Sequence, residues 1–334
     1  MRLPCVGVRN SVACIALMVL VAALACGCRA SGSGASGTGG LVTVAVVPGI
    51  DNAPLSVAIQ DGLFRQHGLD VDVRDYPSLG AELQALASGQ AQIAGGDYTG
   101  FLYEQASGRA SLRFIADGYD AAPDSVEILT LPGSGITTPR QLQSQSVVVA
   151  APPAQVVPYS ATTPYDIQTL SAAEVLQNDG VSPSSVGWTQ TQPDYLIRAL
   201  RNGQVKAILA TEPYILQAEE QLGAVGVVDA SSGVTSGLPL SGYFSLGSYA
   251  RAHPSAVQAF QVALDQAQAD CAQRGPVQAV LPRLTLMSAE DAAQVTLGTY
   301  PASPNVGQVQ RVATLMYDSG MIGNPVNVSD LAAG

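Results

Sequence analysis

Lysine occurs once in the 334 residues, at Lys206, and histidine twice, at His67 and His253. Cations are scarce overall: 15 Lys and Arg stand against 26 Asp and Glu, for a formal charge of −11. A nucleic-acid binder needs a basic stripe to meet phosphates, so that class is excluded. A single lysine cannot build a polyphosphate cradle. Two histidines exclude His-rich metal centres and leave little for acid–base catalysis. The chain carries no GxSxG elbow, Walker loop, CxxC or HExxH. Charged residues are 12% of the chain and aromatics 5%, where soluble domains carry about 25% charged residues. These deficits point to an acidic, non-enzymatic protein that needs no metal and no cofactor. Its length suggests two lobes rather than one.

Long hydrophobic runs are also missing, apart from one at the start. Arg2 and Arg9 precede an uncharged stretch over residues 11–25, SVACIALMVLVAALA. It falls short of the ~20 residues that span a bilayer as a helix. A basic start, a short apolar core and small residues at its end describe a secretory signal over residues 1–25; a single membrane anchor is the rival reading. Cys26 and Cys28 follow in ALACGC, which resembles a bacterial lipobox. Cys26 is the expected lipidation site and Cys28 the alternative, because Cys28 would put a cysteine inside the cleavage motif. The segment RASGSGASGTGG, residues 29–40, then reads as a flexible Gly/Ser tether and completes a lipid-anchored stretch over residues 26–40. Cys5 and Cys14 leave with the signal. Cys271 alone remains in the body, so no internal disulfide can form, and it reads as a packing residue.

From residue 41 the pattern alternates between β-branched strands and helices closed by glycine. LVTVAVV, LDVDVRDY, SVEILTL, SVVVA and VKAILA are strands; residues 55–66 are predicted as one helix, as are 81–88, 166–178, 193–201 and 255–273. Residues 95–97 are predicted as a loop. Such alternation implies α/β lobes, each a mostly parallel sheet covered by helices. Lobe one is expected over 41–120 plus 236–334 and lobe two over 126–230, with two hinge crossovers.

Four segments carry a family resemblance. VTVAVVPGIDNAPLSVAIQDGLFRQHGLDVDV resembles the opening of bacterial substrate-binding proteins of the nitrate/sulfonate/taurine and thiamine-pyrimidine-precursor class. ELQALASGQAQIAGGDYTGFL, LIRALRNGQVKAILATEPYILQAE and LSGYFSLGSYARAHPSAVQAFQVALDQA are similar to later parts of the same proteins, in order, over residues 41 to 270. The resemblance implies a periplasmic-binding-protein type II-like fold and capture of one small molecule between the lobes. It further implies delivery to an ABC permease and its ATPase, from a lipid-anchored position outside the cell membrane. Thr211 stands where many relatives carry tryptophan, and APPAQVVPYSATTPYDIQ is longer and richer in proline than the usual loop. Neither His67 nor His253 lies in a loop matching the histidine used by pyrimidine-synthase relatives.

In open α/β sheets ligands sit beyond the carboxyl ends of the strands. That rule selects Asp51, Asn52 and Ala53 after the first strand, Ser78 after the second, and Asp97 and Tyr98 after the third. In lobe two it selects Thr163, Thr211, Glu212 and Tyr214. Asn52, Ser78 and Thr163 are also residue types that cap helices, and Glu212 is also a first-turn acid that answers a helix dipole. Asp51, Asp97 and Glu212 have no Arg or Lys in their own loops. An unpartnered buried carboxylate is costly, so a neutral or cationic nitrogen-bearing ligand, such as a thiamine-pyrimidine precursor, is expected ahead of an alkanesulfonate or nitrate. The rivals are an enzyme on the same scaffold acting on a small heterocycle, and a sensor for a membrane kinase.

Overall fold

The structure is a computed structural model describing residues 40–144, 148–160, 162–285 and 287–332. The expected signal, both candidate lipidation cysteines and the expected tether up to residue 39 lie outside the described residues. The described residues all belong to one compact unit.

Two five-stranded sheets organise that unit. The first contains β1 (Leu41–Val46), β2 (Asp70–Asp75), β3 (Ile93–Asp97), β4 (Leu112–Asp120) and β10 (Pro239–Leu246), in the order β2-β1-β3-β10-β4. The second contains β5 (Val126–Thr130), β6 (Val148–Ala151), β7 (Gly187–Gln190), β8 (Ala207–Thr211) and β9 (Val225–Asp229), in the order β7-β6-β8-β5-β9. Each sheet has four parallel strands and one antiparallel strand in fourth place: β10 in the first and β5 in the second. Each sheet with its helices is one lobe.

The chain passes between the sheets twice, β4 to β5 and β9 to β10. The two crossings are bonded to each other. Ala121 N–H donates to the Leu238 carbonyl at 2.9 Å. Further along, the N–H groups of Ser125 and Val126 both donate to Ser231 Oγ, at 3.1 and 3.2 Å. Paired crossings of this kind restrict the relative motion of two lobes to a hinge.

The packing follows the sequence pattern, with two local differences. The predicted helix over 55–66 is two helices, Ala53–Gln60 and Leu63–Gln66. Gly62 interrupts them with φ +69, a left-handed conformation that glycine adopts without a Cβ penalty. Residues 95–97, predicted as a loop, complete β3. The glycines there are packing devices: a Cβ on Gly95 would strike the Tyr243 ring. In the first lobe's core Phe101 stacks on Phe244 at 4.5 Å and Tyr98 meets Phe244 edge-on at 5.8 Å. Cys271 is buried and free. No helix among the described residues is long and apolar enough to cross a membrane.

Candidate functional site

A cavity of about 530 Å³ lies between the lobes at the carboxyl ends of the strands, within the ordinary range for small-molecule sites. Leu79, Pro48, Pro152, Val156 and Leu284 give its wall an apolar part. Its charged part is acidic, with Asp51, Glu82, Asp97, Asp166, Asp194 and Glu212 on the wall, beside the neutral polar groups of Thr99, Ser125, Gln155, Gln168, Thr211 and Ser241. Among the described residues no Arg, Lys or His does.

Burial pushes these carboxyls up. Asp51 and Asp97 rise to about 6, both chiefly by burial; the charge of Asp97 adds to the effect on Asp51. Asp166 rises to about 7, again by burial first and then by Asp97. Glu82 is raised well above its ordinary value by burial, followed by the charges of Asp51 and Asp97. Glu212 is raised by burial, against the pull of two backbone N–H groups.

Helix starts converge on the cleft, and the free N–H groups of a helix start ordinarily suit an anion. Here the chain's own acceptors occupy them. Asp97 caps the helix Tyr98–Ala106 by accepting from Thr99 N–H at 2.7 Å. Asp166 caps Ile167–Asn178, accepting from Thr169 N–H at 2.7 Å. At Leu79–Ala87, Ser78 Oγ accepts from Ala81 N–H at 3.2 Å and Gln155 Oε1 accepts from Leu79 N–H at 2.6 Å. Glu212 Oε2 accepts from Leu216 N–H at 3.1 Å in the first turn of Tyr214–Leu222. The helix Pro193–Arg201 has no side-chain cap, but it presents Asp194 to the cavity.

Three of these contacts join the lobes. Besides Gln155 and Leu79, Asp97 Oδ2 accepts from Ile167 N–H at 3.2 Å. Glu212 Oε1 accepts from Thr296 N–H at 2.8 Å.

The structure brings Asp51, Asp97, Thr211, Glu212 and Tyr214 of the sequence-selected residues to the cavity wall. Five others are elsewhere, and each has a physical reason. Tyr98 is fully buried in the aromatic core, its hydroxyl bonded to Asp117. Asn52 and Ala53 are buried at the start of the helix Ala53–Gln60. Ser78 spends its hydroxyl on the cap, while its neighbour Leu79 reaches the cavity. Thr163 faces a separate small depression beside Ser160 and Trp188. Sequence reasoning missed Glu82, Asp166 and Gln155. Asp166 carried a legible signal as an acid directly before an apolar helical run. Glu82 carried none, since an acid in the first turn of a helix ordinarily faces water.

This architecture, two lobes of like topology around a cleft, is the periplasmic-binding-protein fold. The model of the NMT1-like family matches residues 40–282, and the chain belongs to that family. Solved structures share the fold. The periplasmic aliphatic sulphonate binding protein SsuA from Escherichia coli is 19% identical, with a TM-score of 0.69 over 86% of this chain and 96% of its own. The periplasmic nitrate-binding protein NrtA from Synechocystis PCC 6803 is 15% identical, TM-score 0.68, over 88% of this chain and 86% of its own. The desulfurization enzyme DszB is 14% identical, TM-score 0.66, over 88% and 96%. No curated protein sequence matches the chain.

Proposed function

We propose that this protein is the extracytoplasmic solute-binding component of an ABC importer. It captures one small nitrogen-bearing solute, neutral or cationic, and the lobes close around it by hinge motion. The closed form docks on a membrane permease served by an ATPase. Cys26, or Cys28 in its place, carries the lipid that holds the protein at the outer face of the membrane.

The family and the neighbours support a binder for small solutes; the cleft itself argues for the ligand class. The single observation that carries it is the pairing of a wall whose charged residues are all acidic with helix starts already capped from within the chain. A sulfonate or nitrate entering this cleft would meet carboxylates and few unspent N–H donors. A thiamine-pyrimidine precursor or an amine would meet acceptors. The absence of a nucleophile–base pair in the sequence favours binding over catalysis, so the heterocycle-processing enzyme remains the weaker reading.

The test is a thermal-shift panel of aminopyrimidines, thiamine, amines, taurine, alkanesulfonates and nitrate. A ligand at 100 times its Kd adds about 2.7 kcal/mol, or roughly 5–10 °C for a domain this large. A shift from a nitrogenous solute that is recovered unchanged supports the reading. A shift from nitrate or a sulfonate alone rejects the ligand class and keeps the transport role; turnover of the ligand rejects the binder.

A further inference from the structure

Glu82 is the one acid of the cleft whose two oxygens are both buried and without a hydrogen-bond partner. It has no exposed surface, and neither Oε1 nor Oε2 has a hydrogen-bond partner. The Val47 backbone N–H pulls against its upward shift without making a hydrogen bond of normal geometry. Yet Glu82 lines the cavity, together with Asp51 and Asp97. A buried carboxyl that satisfies neither oxygen is expensive, and its neighbours worsen the cost, because Asp51 and Asp97 both repel its charged form.

The backbone is cut to hold this carboxyl in place. Gly96 of β3 lies directly against it: a Cβ there would come within 2.9 Å of Glu82 Oε2 and 3.1 Å of Leu79 Cδ1. A Cβ on Gly49 would meet Asp51 Oδ1 at 2.6 Å. Gly96 near the end of β3 and Gly49 in the loop after β1 therefore leave room for two carboxylates on the same wall of the cavity. Asp97 spends its oxygens on Thr99 and Ile167; Glu82 spends none.

A metal ion is a poor fit, since no group of three or more His, Cys, Asp or Glu among the described residues is arranged to hold one. What fits is an organic head that is cationic and carries several N–H donors. It neutralises mutual repulsion and gives Glu82 the donors it lacks.

We propose that Asp51, Glu82 and Asp97 form a subsite for the protonated amine, amidine or aminopyrimidinium head of the ligand, with Glu82 as its principal hydrogen-bond acceptor. The inference rests on the solute-binding reading and narrows it: the ligand enters as a cation. The apolar wall of Pro48, Pro152, Val156 and Leu284 then takes an uncharged body.

The test uses matched pairs that differ in charge. Titration calorimetry at pH 7.5 compares 5-aminomethyl- with 5-hydroxymethyl-4-amino-2-methylpyrimidine, benzamidinium with benzamide, and butylammonium with butanol. In at least one pair the cation binds at least about 10-fold more tightly than its neutral partner. Glu82→Gln lowers that cation's affinity about 10- to 100-fold and leaves the neutral partner within a few-fold. Glu127→Gln, a control outside the cavity wall whose own Oε2 is also buried and unpartnered, changes neither. Should Glu82→Gln fail to fold, Asp51→Asn replaces it. If a neutral member binds as well as its cation, or the Gln variant loses nothing, the subsite is wrong while the nitrogenous-solute reading stands. If no cation binds, the subsite is wrong. If only nitrate or methanesulfonate binds, both readings fall together.

Discussion

Asp97 closes two helices at once. Its Oδ1 accepts from Thr99 N–H at 2.7 Å in its own lobe, and its Oδ2 accepts from Ile167 N–H at 3.2 Å in the other. The residue is a helix cap and an interlobe clasp. Replacing Asp97 by Ala removes a cap, at about 1 kcal/mol, and releases the clasp. Denaturant unfolding reads the first effect. Small-angle scattering of the ligand-free protein reads the second as an increase in radius of gyration. An unchanged radius would mean the clasp does not hold the lobes together.

Glu212 is expected to be structural in the same sense. It accepts from Leu216 N–H on one oxygen and from Thr296 N–H on the other, so Glu212→Ala strands two backbone donors. The expected loss is about 1–3 kcal/mol, measured as a lower denaturant midpoint with an unchanged slope.

The cleft acids make stability fall as pH rises. Asp51 and Asp97 stand at about 6 and Asp166 at about 7, above the ~3.9 of an unfolded aspartate. Between pH 4 and 7 the folded state therefore binds more protons than the unfolded one, and stability declines across that window. The groups facing these acids include the carboxyls Glu82 and Glu212 and the phenols of Tyr119, Tyr165, Tyr243 and Tyr300, with no cation among the cavity-lining residues described. The ligand-free Tm should be higher at pH 5 than at pH 7.5. A cationic ligand reverses the trend: its affinity rises with pH over that range, and at pH 6 it expels protons from the carboxyls to solvent. Calorimetry in buffers of different ionisation heat counts those protons. A flat Tm profile between pH 5 and 7.5 would contradict this account.

Gly96→Ala should damage binding without unfolding the sheet. The added Cβ crowds the far end of Glu82 rather than backbone, so the carboxyl must move. About a 10-fold loss of ligand affinity is expected, with a Tm within a few degrees of the original.

Much of the fold was legible because strands announce themselves locally. Runs such as LVTVAV and VEILT carry β-branched residues at buried positions, and Gly223 closes its helix with φ +62, as a glycine cap does. The Gly95–Gly96 pair was misread because its purpose is set by distant partners: Tyr243 covers one glycine and Glu82 the other. Glu82 was invisible for a related reason. In LGAELQALA it sits on a short helix whose other buried positions are Leu79, Ala85 and Leu86, and only the meeting of that helix with β3 shuts water out. Tyr98 erred in the opposite direction. Its place after a strand suggested the cleft, but the first turn of its helix directs the ring to Phe114 and Phe244.

The placement of β10 has a consequence for the order in which the molecule can be assembled. β5 to β9 are contiguous in the chain, so the second sheet has all its strands once residue 229 is made. The first sheet does not. β10 lies between β3 and β4, and until it arrives β4 has no neighbouring strand to pair with. Wherever the chain emerges with its N-terminus first, the first sheet must stay incomplete, with β4 unpaired, until the segment of the second sheet has followed it. Its final strand arrives only after the second sheet's segment is complete.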